Sequence, residues 1–565
     1  MVRLQERIRG LIGTEDSRAE VCKLSGETVK EAATRMKPHK MDVSQGFTSD
    51  CLLHAPDILF RLLALVFQDW LIHGTVTKSI LSCAFIPLLK SSLKDPAKTD
   101  SYRAIAGSSL LLKLFEMCVL DVWGDLLRSD SLQFGFKRGC GTSSATWLVQ
   151  EVLHQFLLAG SKPIAVVLDC SKAFDLAKYN VLFERLLTDR RVPAIVVRVL
   201  AFSYQEQLAW VRWGRGCTSK TFSIANGMRQ GSVASPTFWA VYLDPLLSQL
   251  RREGVGCHLA RIFMGAVCYA DDLILLAPNR VAAQKMLDSC EKFAADHNVK
   301  FSTDDDPNRS KCKAIYVSGP RGGSLPKPVP VKLCGRDLPW VARAEHLGHA
   351  LCEDGTMRQD AREKRAQFID CSVKIRETFN FAHPAELIEA TEKYCTSLYG
   401  SNLYDFKDEE FDMICGAWKT GVKLAWGVHR GCRTYLLQQV LAPGVTSLRV
   451  NLFMRFHTFF RSMLASPSPE VQVASRLAAR DLRSSVGSNL ALLREESGGL
   501  DPWTSPPGRL KAALQLSEES PIQTADAWRV PYMWRLLGER LHHFYNGNTE
   551  EEERVAGLLN DLVRN

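Results

Sequence analysis

The chain has 565 residues, 46% of them hydrophobic and 24% charged, with a formal net charge of +9 and a pI near 8.7. That composition is ordinary for a globular protein with a large core and two to four domains, and its mild basic excess suits a polyanionic partner. Seventeen cysteines with no C-x-x-C pair indicate neither a disulfide framework nor a zinc ribbon.

Residues 1–40 are polar and charged, begin without the apolar run of a signal peptide, and read as a poorly ordered leader. Residues 56–73 form the most apolar helix candidate, but Arg61 and Asp69 interrupt it and Gly74 ends it, so it is too short and polar to span a bilayer. A soluble, intracellular protein without a membrane partner is expected. An amphipathic helix is expected at 146–158. Residues 163–168 are a continuous apolar run that ends on Asp169, the pattern of a buried strand, and 181–187 are helix-like. A hairpin is expected from 208–213 and 221–224, then a helix over 236–247. Two further apolar runs, 263–268 and 273–277, flank the polar tip Tyr269-Ala270-Asp271-Asp272 and read as two buried strands joined by a tight turn. Residues 318–330, dense in Gly, Pro and Ser, are a loop, with strand character resuming at 329–333. From Ala361 the pattern is helical and basic, as in 357–378 and 385–399. The tail is broken at 466–469 and 496–508, and its acidic run 550–553 reads as a solvated helix face.

Two adjacent carboxylates at a strand tip are costly to bury unless a cation neutralises them. Magnesium takes hard oxygen ligands, commonly one or two carboxylates plus substrate phosphates. Asp169, at the end of its own buried strand, is the natural third donor; its alternative role is a helix N-cap. Two-metal catalysis sets the ions ~3.5–4 Å apart across an in-line displacement. Cys334, His346, His349 and Cys352 form another cluster, but the histidine spacing suits a helix face, and a plain apolar strand pair is the reading favoured over zinc. Trp418 and Trp426, interleaved with Lys419, Lys423 and Arg430, could stack on nucleic acid, with core packing the favoured role.

Ordered blocks along the chain resemble the reverse transcriptase of non-LTR (LINE-type) retrotransposons. Ile86-Pro87-Leu88-Leu89-Lys90, Tyr102-Arg103-Ala104-Ile105 and Leu132-Gln133-Phe134-Gly135-Phe136 resemble the fingers segment. Asp169 through Asp175 is similar to motif A, Asn226 through Ser232 with Ser235-Pro236 to motif B, and Tyr269-Ala270-Asp271-Asp272 to motif C. Ser310-Lys311-Cys312-Lys313 falls where motif D lies, and His346-Leu347-Gly348-His349 resembles the primer-grip strand of motif E.

The resemblance implies an α+β right-hand polymerase: fingers, a palm whose antiparallel sheet carries the Asp271-Asp272 turn, and a helical thumb. The corresponding boundaries are 1–40 leader, 41–160 N-terminal extension and fingers, 161–355 palm (with the whole polymerase domain about 80–355), 356–460 thumb and 461–565 C-terminal helical region. It also implies RNA-directed DNA polymerisation, with Asp169, Asp271 and Asp272 as metal ligands for two Mg2+ ions, for which Mn2+ can substitute. Lys311 is implied as the general acid for pyrophosphate, with Lys313 as its alternative. Lys90 and Arg103 would hold the triphosphate. Phe174 would lie under the incoming sugar and exclude a 2′-hydroxyl, with ordinary core packing as its alternative. Gln230 and Gly231 would line the nascent base pair, where glycine allows close backbone approach. The implied partners are an RNA template, a DNA primer or target, dNTPs and a separate endonuclease, since no nuclease module is legible; the family also implies a nuclear location. A second class of reading is a catalytically inactive or host-retained nucleic-acid-binding relic, against which the intact Asp169, Asp271, Asp272, Phe174 and Gln230 speak.

Overall fold

The computed structural model describes residues 1–12, 17–44, 46–91, 94–214, 216–304, 306, 309–320, 327–395, 398, 400–427 and 447–518. The acidic run 550–553, Arg430, the side chain of Trp426 and most of the 396–399 stretch lie outside them. The chain divides into two compact units. One comprises Met1–Cys140, Ile164–Ala314 and Lys327–Trp340, and the other the described parts of Gly141–Pro163, Ile315–Pro326 and Val341 onward. Residues 141–163 group with the later helices in the second unit. Among the described residues no helix is long and apolar enough to cross a membrane.

In the first unit the principal strands are β1 (Cys83–Leu89), β2 (Tyr102–Ser108), β3 (Ile164–Asp169), β4 (Leu208–Trp213), β5 (Ala266–Tyr269) and β6 (Asp272–Ala277). β1 pairs antiparallel with β2 and parallel with β4. The expected hairpin at 208–224 therefore joins a larger sheet, and its return is the short strand Phe222–Ser223. β6 lies between β3 and β5, antiparallel to both. The apolar runs of β3 and β6 are buried almost throughout, which requires cover on both faces. One cover is the Arg280–His297 helix, which packs on β6 and β3 and whose buried residues include Ala283, Met286, Leu287 and Cys290.

The leader expected at 1–40 is not unordered. Helices Val2–Ile12, Ser17–Cys22 and Gly26–Thr34 occupy it. Leu4 and Ile8 are spaced i, i+4, and Val29, Ala32 and Ala33 are spaced i, i+3, i+4, so each set makes a buried stripe. Ser25 caps the third helix by accepting from Thr28 N at 3.2 Å. Polar composition concealed these stripes because each is only one helix face wide. The helix expected over 56–73 is Asp57–His73, ended by Gly74 at φ +70°.

Among its described residues the second unit is mostly helical and includes a hairpin, Arg343–His346 against His349–Cys352. Its aromatic core stacks Phe406 on Phe411 (4.2 Å) and sets Phe453 edge-on to Phe406 (4.9 Å). Trp418 is buried in this unit's core. His346 and His349 face each other across the hairpin; the His349 ring is 3.3 Å from Asp360, which also accepts from Tyr404 Oη at 2.7 Å. Among the described residues no set of three His, Cys, Asp or Glu side chains is arranged to hold a metal.

Burial, with the neighbouring His349, pushes the His346 imidazole down to about 4 from 6.5. Native His346 therefore stays neutral where the unfolded chain takes up a proton. Its contribution to stability is full above pH 6.5 and is lost as pH falls toward 4, by about 3 kcal/mol at 1.36 kcal/mol per unit. Unfolding of His346→Leu measured from pH 7 to pH 4 is expected to show a correspondingly shallower acid loss than wild type. Parallel pH profiles would remove His346 as the cause.

Candidate active site

The buried strands carry the acidic residues to one end of the β3-β6-β5 sheet. Asp169 is the last residue of β3 and pairs directly with Asp272, the first of β6; Asp272 pairs in turn with Tyr269 on β5. Only Ala270 and Asp271 remain for the turn. Ala270 adopts φ +59°, a left-handed conformation that a non-glycine residue holds only when its surroundings fix it.

Gln133 supplies much of that fixing. Its Oε1 accepts from Ala270 N (2.9 Å) and Gly135 N (2.9 Å), while its Nε2 donates to Ala270 O (3.3 Å). Trp239 Nε1 donates to the same carbonyl at 3.0 Å. The backbone of 132–134 runs beside β5, with Phe134 N to Cys268 O at 2.7 Å and Cys268 N to Leu132 O at 2.9 Å. Gly135 is required by contact, since a Cβ there would lie 2.4 Å from Ala270 N. The sequence marked this block as a motif; its grip on the acidic turn appears only in three dimensions.

Asp169 is held from its other side. Ser302 Oγ donates to its Oδ2 at 2.5 Å, and Lys311 Nζ approaches the same oxygen at 3.4 Å. Burial raises the Asp271 carboxyl above its usual range and the Asp169 charge adds to this; its own backbone hydrogen bond, Arg103 and Lys311 oppose the shift. Asp271 is thus within electrostatic reach of three other expected residues, Asp169, Arg103 and Lys311, with Asp272 paired beside Asp169. Lys90 donates from Nζ to Asp100 O at 2.8 Å. It continues β1 two residues beyond Leu88, which pairs with Arg103, so Lys90 and Arg103 share one face of the hairpin. Lys313 opens the strand Lys313–Tyr316.

Phe174 lies in the short turn of helix after Asp169 and stacks on Trp239 at 5.5 Å, with ring planes 25° apart. The loop before the Ser235–Glu253 helix docks on β2, where Ala106 N donates to Gln230 O at 2.7 Å. Gly231, at φ +123°, meets Ala106 so closely that a Cβ would lie 2.7 Å from its carbonyl oxygen. Gln230 Nε2 donates to Asp175 Oδ1 at 3.1 Å.

Behind this loop is a buried ion pair that sequence inspection did not find. Glu116 accepts from Ser232 Oγ (2.5 Å), Val233 N (2.9 Å) and Ala234 N (3.3 Å), and lies 3.8 Å from Arg229 Nη1. The Arg229 guanidinium sits over the Tyr204 ring at 4.3 Å.

Asp169 and Asp271 offer hard oxygen donors that repel each other, which is the chemistry a divalent cation relieves. Two carboxylates completed by substrate phosphates match the magnesium habit, so the residues present fit such an ion.

Residues 90–350 match the family model for reverse transcriptase (RNA-dependent DNA polymerase). Over 306 residues the chain is 27% identical to the RNA-directed DNA polymerase from mobile element jockey of Drosophila funebris, covering 51% of this chain and 31% of that protein. It is 25% identical over 222 residues to the Pol polyprotein of retrotransposable element R2DM of Drosophila melanogaster (39% and 20%), and 24% identical over 255 residues to that of element R2 of Nasonia vitripennis (45% and 24%). The chain thus spans less than a third of the length of these curated relatives.

Proposed function

Residues 90–350 are a reverse transcriptase domain of the non-LTR retrotransposon kind, and from that premise we propose that this chain extends the 3′-hydroxyl of a primer with dNTPs on an RNA template. The observation that carries the reading is the meeting of Asp169 and Asp271 beside Asp272, with Arg103 and Lys311 as the nearby cations. In this reading the β1-β2 hairpin belongs to the fingers, the β3-β6-β5 sheet to the palm, and residues 356–460 to the thumb.

Asp169 and Asp271, with Asp272 adjacent, would hold two Mg2+ ions. When bound, such ions would supply positive charge to stabilise the charge developing on the transferred phosphoryl group. The protein's own contribution is positional. Gln133 and Trp239 fix the Asp271 turn, and Ser302 orients Asp169. Arg103, aided by Lys90 on the same hairpin face, would grip the triphosphate as a fork on phosphate oxygens. Lys311, 3.4 Å from Asp169, would give its proton to the departing pyrophosphate. Gln230 and Gly231, backed by the Glu116–Arg229 pair, would form the floor under the nascent base pair. Phe174, held flat by Trp239, would stand where a ribose 2′-hydroxyl needs space.

The test is primer extension on an RNA template with each nucleotide class. Wild type is expected to use dNTPs, to stop on chelation of divalent metal, and to discriminate against rNTPs. Phe174→Ala is expected to relax that discrimination by about 10–100-fold, the scale on which pocket shape selects between similar substrates. Folded protein that binds the duplex without extending it would transfer the reading to a binding relic. Unchanged discrimination in Phe174→Ala would return Phe174 to core packing.

A further inference from the structure

The Asp57–His73 helix is apolar on two faces. Its inner face packs Phe60, Ala64, Phe67, Trp70 and Leu71 into the first unit's core. Its outer face leaves Ile58, Leu62, Leu65 and Ile72 between 51% and 61% exposed, with Val66 beside them at 42%. Positions 58, 62, 65, 69 and 72 are spaced 4, 3, 4, 3, so they form one seam along the helix. Apart from Asp69 the seam is apolar, and so much exposed apolar surface on one helix face is unusual on a surface with no partner.

We propose that this face is a self-association surface, pairing antiparallel with the same helix of a second copy about a two-fold axis at Leu65. The charges choose the occupant and its direction. Arg61 and Asp69 lie four residues before and after Leu65, and Ile58 and Ile72 lie seven before and after. A two-fold rotation at Leu65 therefore sets Arg61 against the partner's Asp69, Ile58 against the partner's Ile72, and Leu65 against itself. A parallel pairing in register would oppose Asp69 to the partner's Asp69 and Arg61 to the partner's Arg61. This is the self-complementarity that an isologous contact demands. Salt bridges on the helix, Lys30–Asp57 at 2.7 Å and His73–Asp69 at 3.3 Å, form part of its polar rim. Seventeen residues of helix extend only about 25 Å. The contact is therefore smaller than the roughly 800 Å² per partner of a standard interface, and the dimer is expected to be weak and concentration-dependent.

Sedimentation velocity of the full chain across a concentration series tests this. Wild type is expected to show reversible monomer–dimer exchange in the micromolar range. Leu65→Lys, which places two ammonium groups together at the axis, is expected to be monomeric throughout with an unchanged thermal melt. Arg61→Glu alone and Asp69→Arg alone are each expected to weaken association by about tenfold. The double swap Arg61→Glu/Asp69→Arg is expected to restore it, an outcome special to the antiparallel register. A wild type that stays monomeric to about 100 µM, well above that micromolar range, overturns the proposal. So does a dimer indifferent to Leu65→Lys, or a swap that fails to rescue. Wild-type binding to lipid vesicles that Leu65→Lys abolishes, without dimerisation, would assign the face to a membrane surface and also overturn it.

Discussion

Asp271→Asn is expected to lower primer extension by at least ~10³-fold while raising the melting temperature. The activity loss follows if Asp271 holds a metal as proposed, since metal stabilisation of transition-state charge is worth several kcal/mol and each 1.36 kcal/mol is tenfold in rate. The stability gain follows from the raised Asp271 carboxyl, caused first by burial and then by the Asp169 charge. An acid whose folded pKa lies above its unfolded value destabilises the fold when ionised, and that cost disappears as pH falls through the folded pKa. An uncharged amide removes the cost at neutral pH. Steady-state extension and calorimetry on the same preparation decide it. A variant within tenfold of wild-type activity, or one that melts lower, would mean that Asp271 is not the repelled, metal-seeking carboxylate described here.

Glu116→Ala is expected to destabilise the first unit by about 3–5 kcal/mol, the cost of stranding a buried charge. Arg229 is almost wholly enclosed, and removal of Glu116 would also leave the backbone donors Val233 N and Ala234 N without this acceptor. Because both residues belong to one network, their effects should not add: the loss in Glu116→Ala/Arg229→Met should be clearly smaller than the sum of the single losses. Denaturant unfolding of the four proteins of this cycle measures it. A single-mutant loss below about 1 kcal/mol, typical of a surface pair, would show that the ion pair does not anchor the loop. The same variant should also lose extension activity, since that loop carries Gln230 and Gly231.

The acidic centre was legible because its logic is local. Unbroken apolar runs before Asp169 and on both sides of Tyr269–Asp272 could only be buried strands, and the paired carboxylates at their ends had few structural uses. The helix over residues 57–73 and its glycine stop were legible for the same reason. The supporting groups were not. Gln133 lay inside a noticed motif, yet its three hydrogen bonds to Ala270 and Gly135 depend on residues 132–134 running beside a strand far along the chain. Ser302 carried no sequence signal at all. Glu116 carried no signal either, and Arg229 none beyond its motif, because burial of a charged side chain is decided by tertiary packing. The first 40 residues misled through composition: short helices with one to three buried positions each average out as polar.

The central claim is that the carboxylates gathered at the end of the β3-β6-β5 sheet perform metal-dependent DNA synthesis. Extension of a DNA primer on an RNA template, with Mg2+ and dNTPs, compared between wild type and Asp271→Ala/Asp272→Ala, tests it most directly. Wild type is expected to give full-length product and the double variant none, with equal primer–template binding by both. Product from the double variant, or none from a folded wild type that binds the duplex, would contradict that claim.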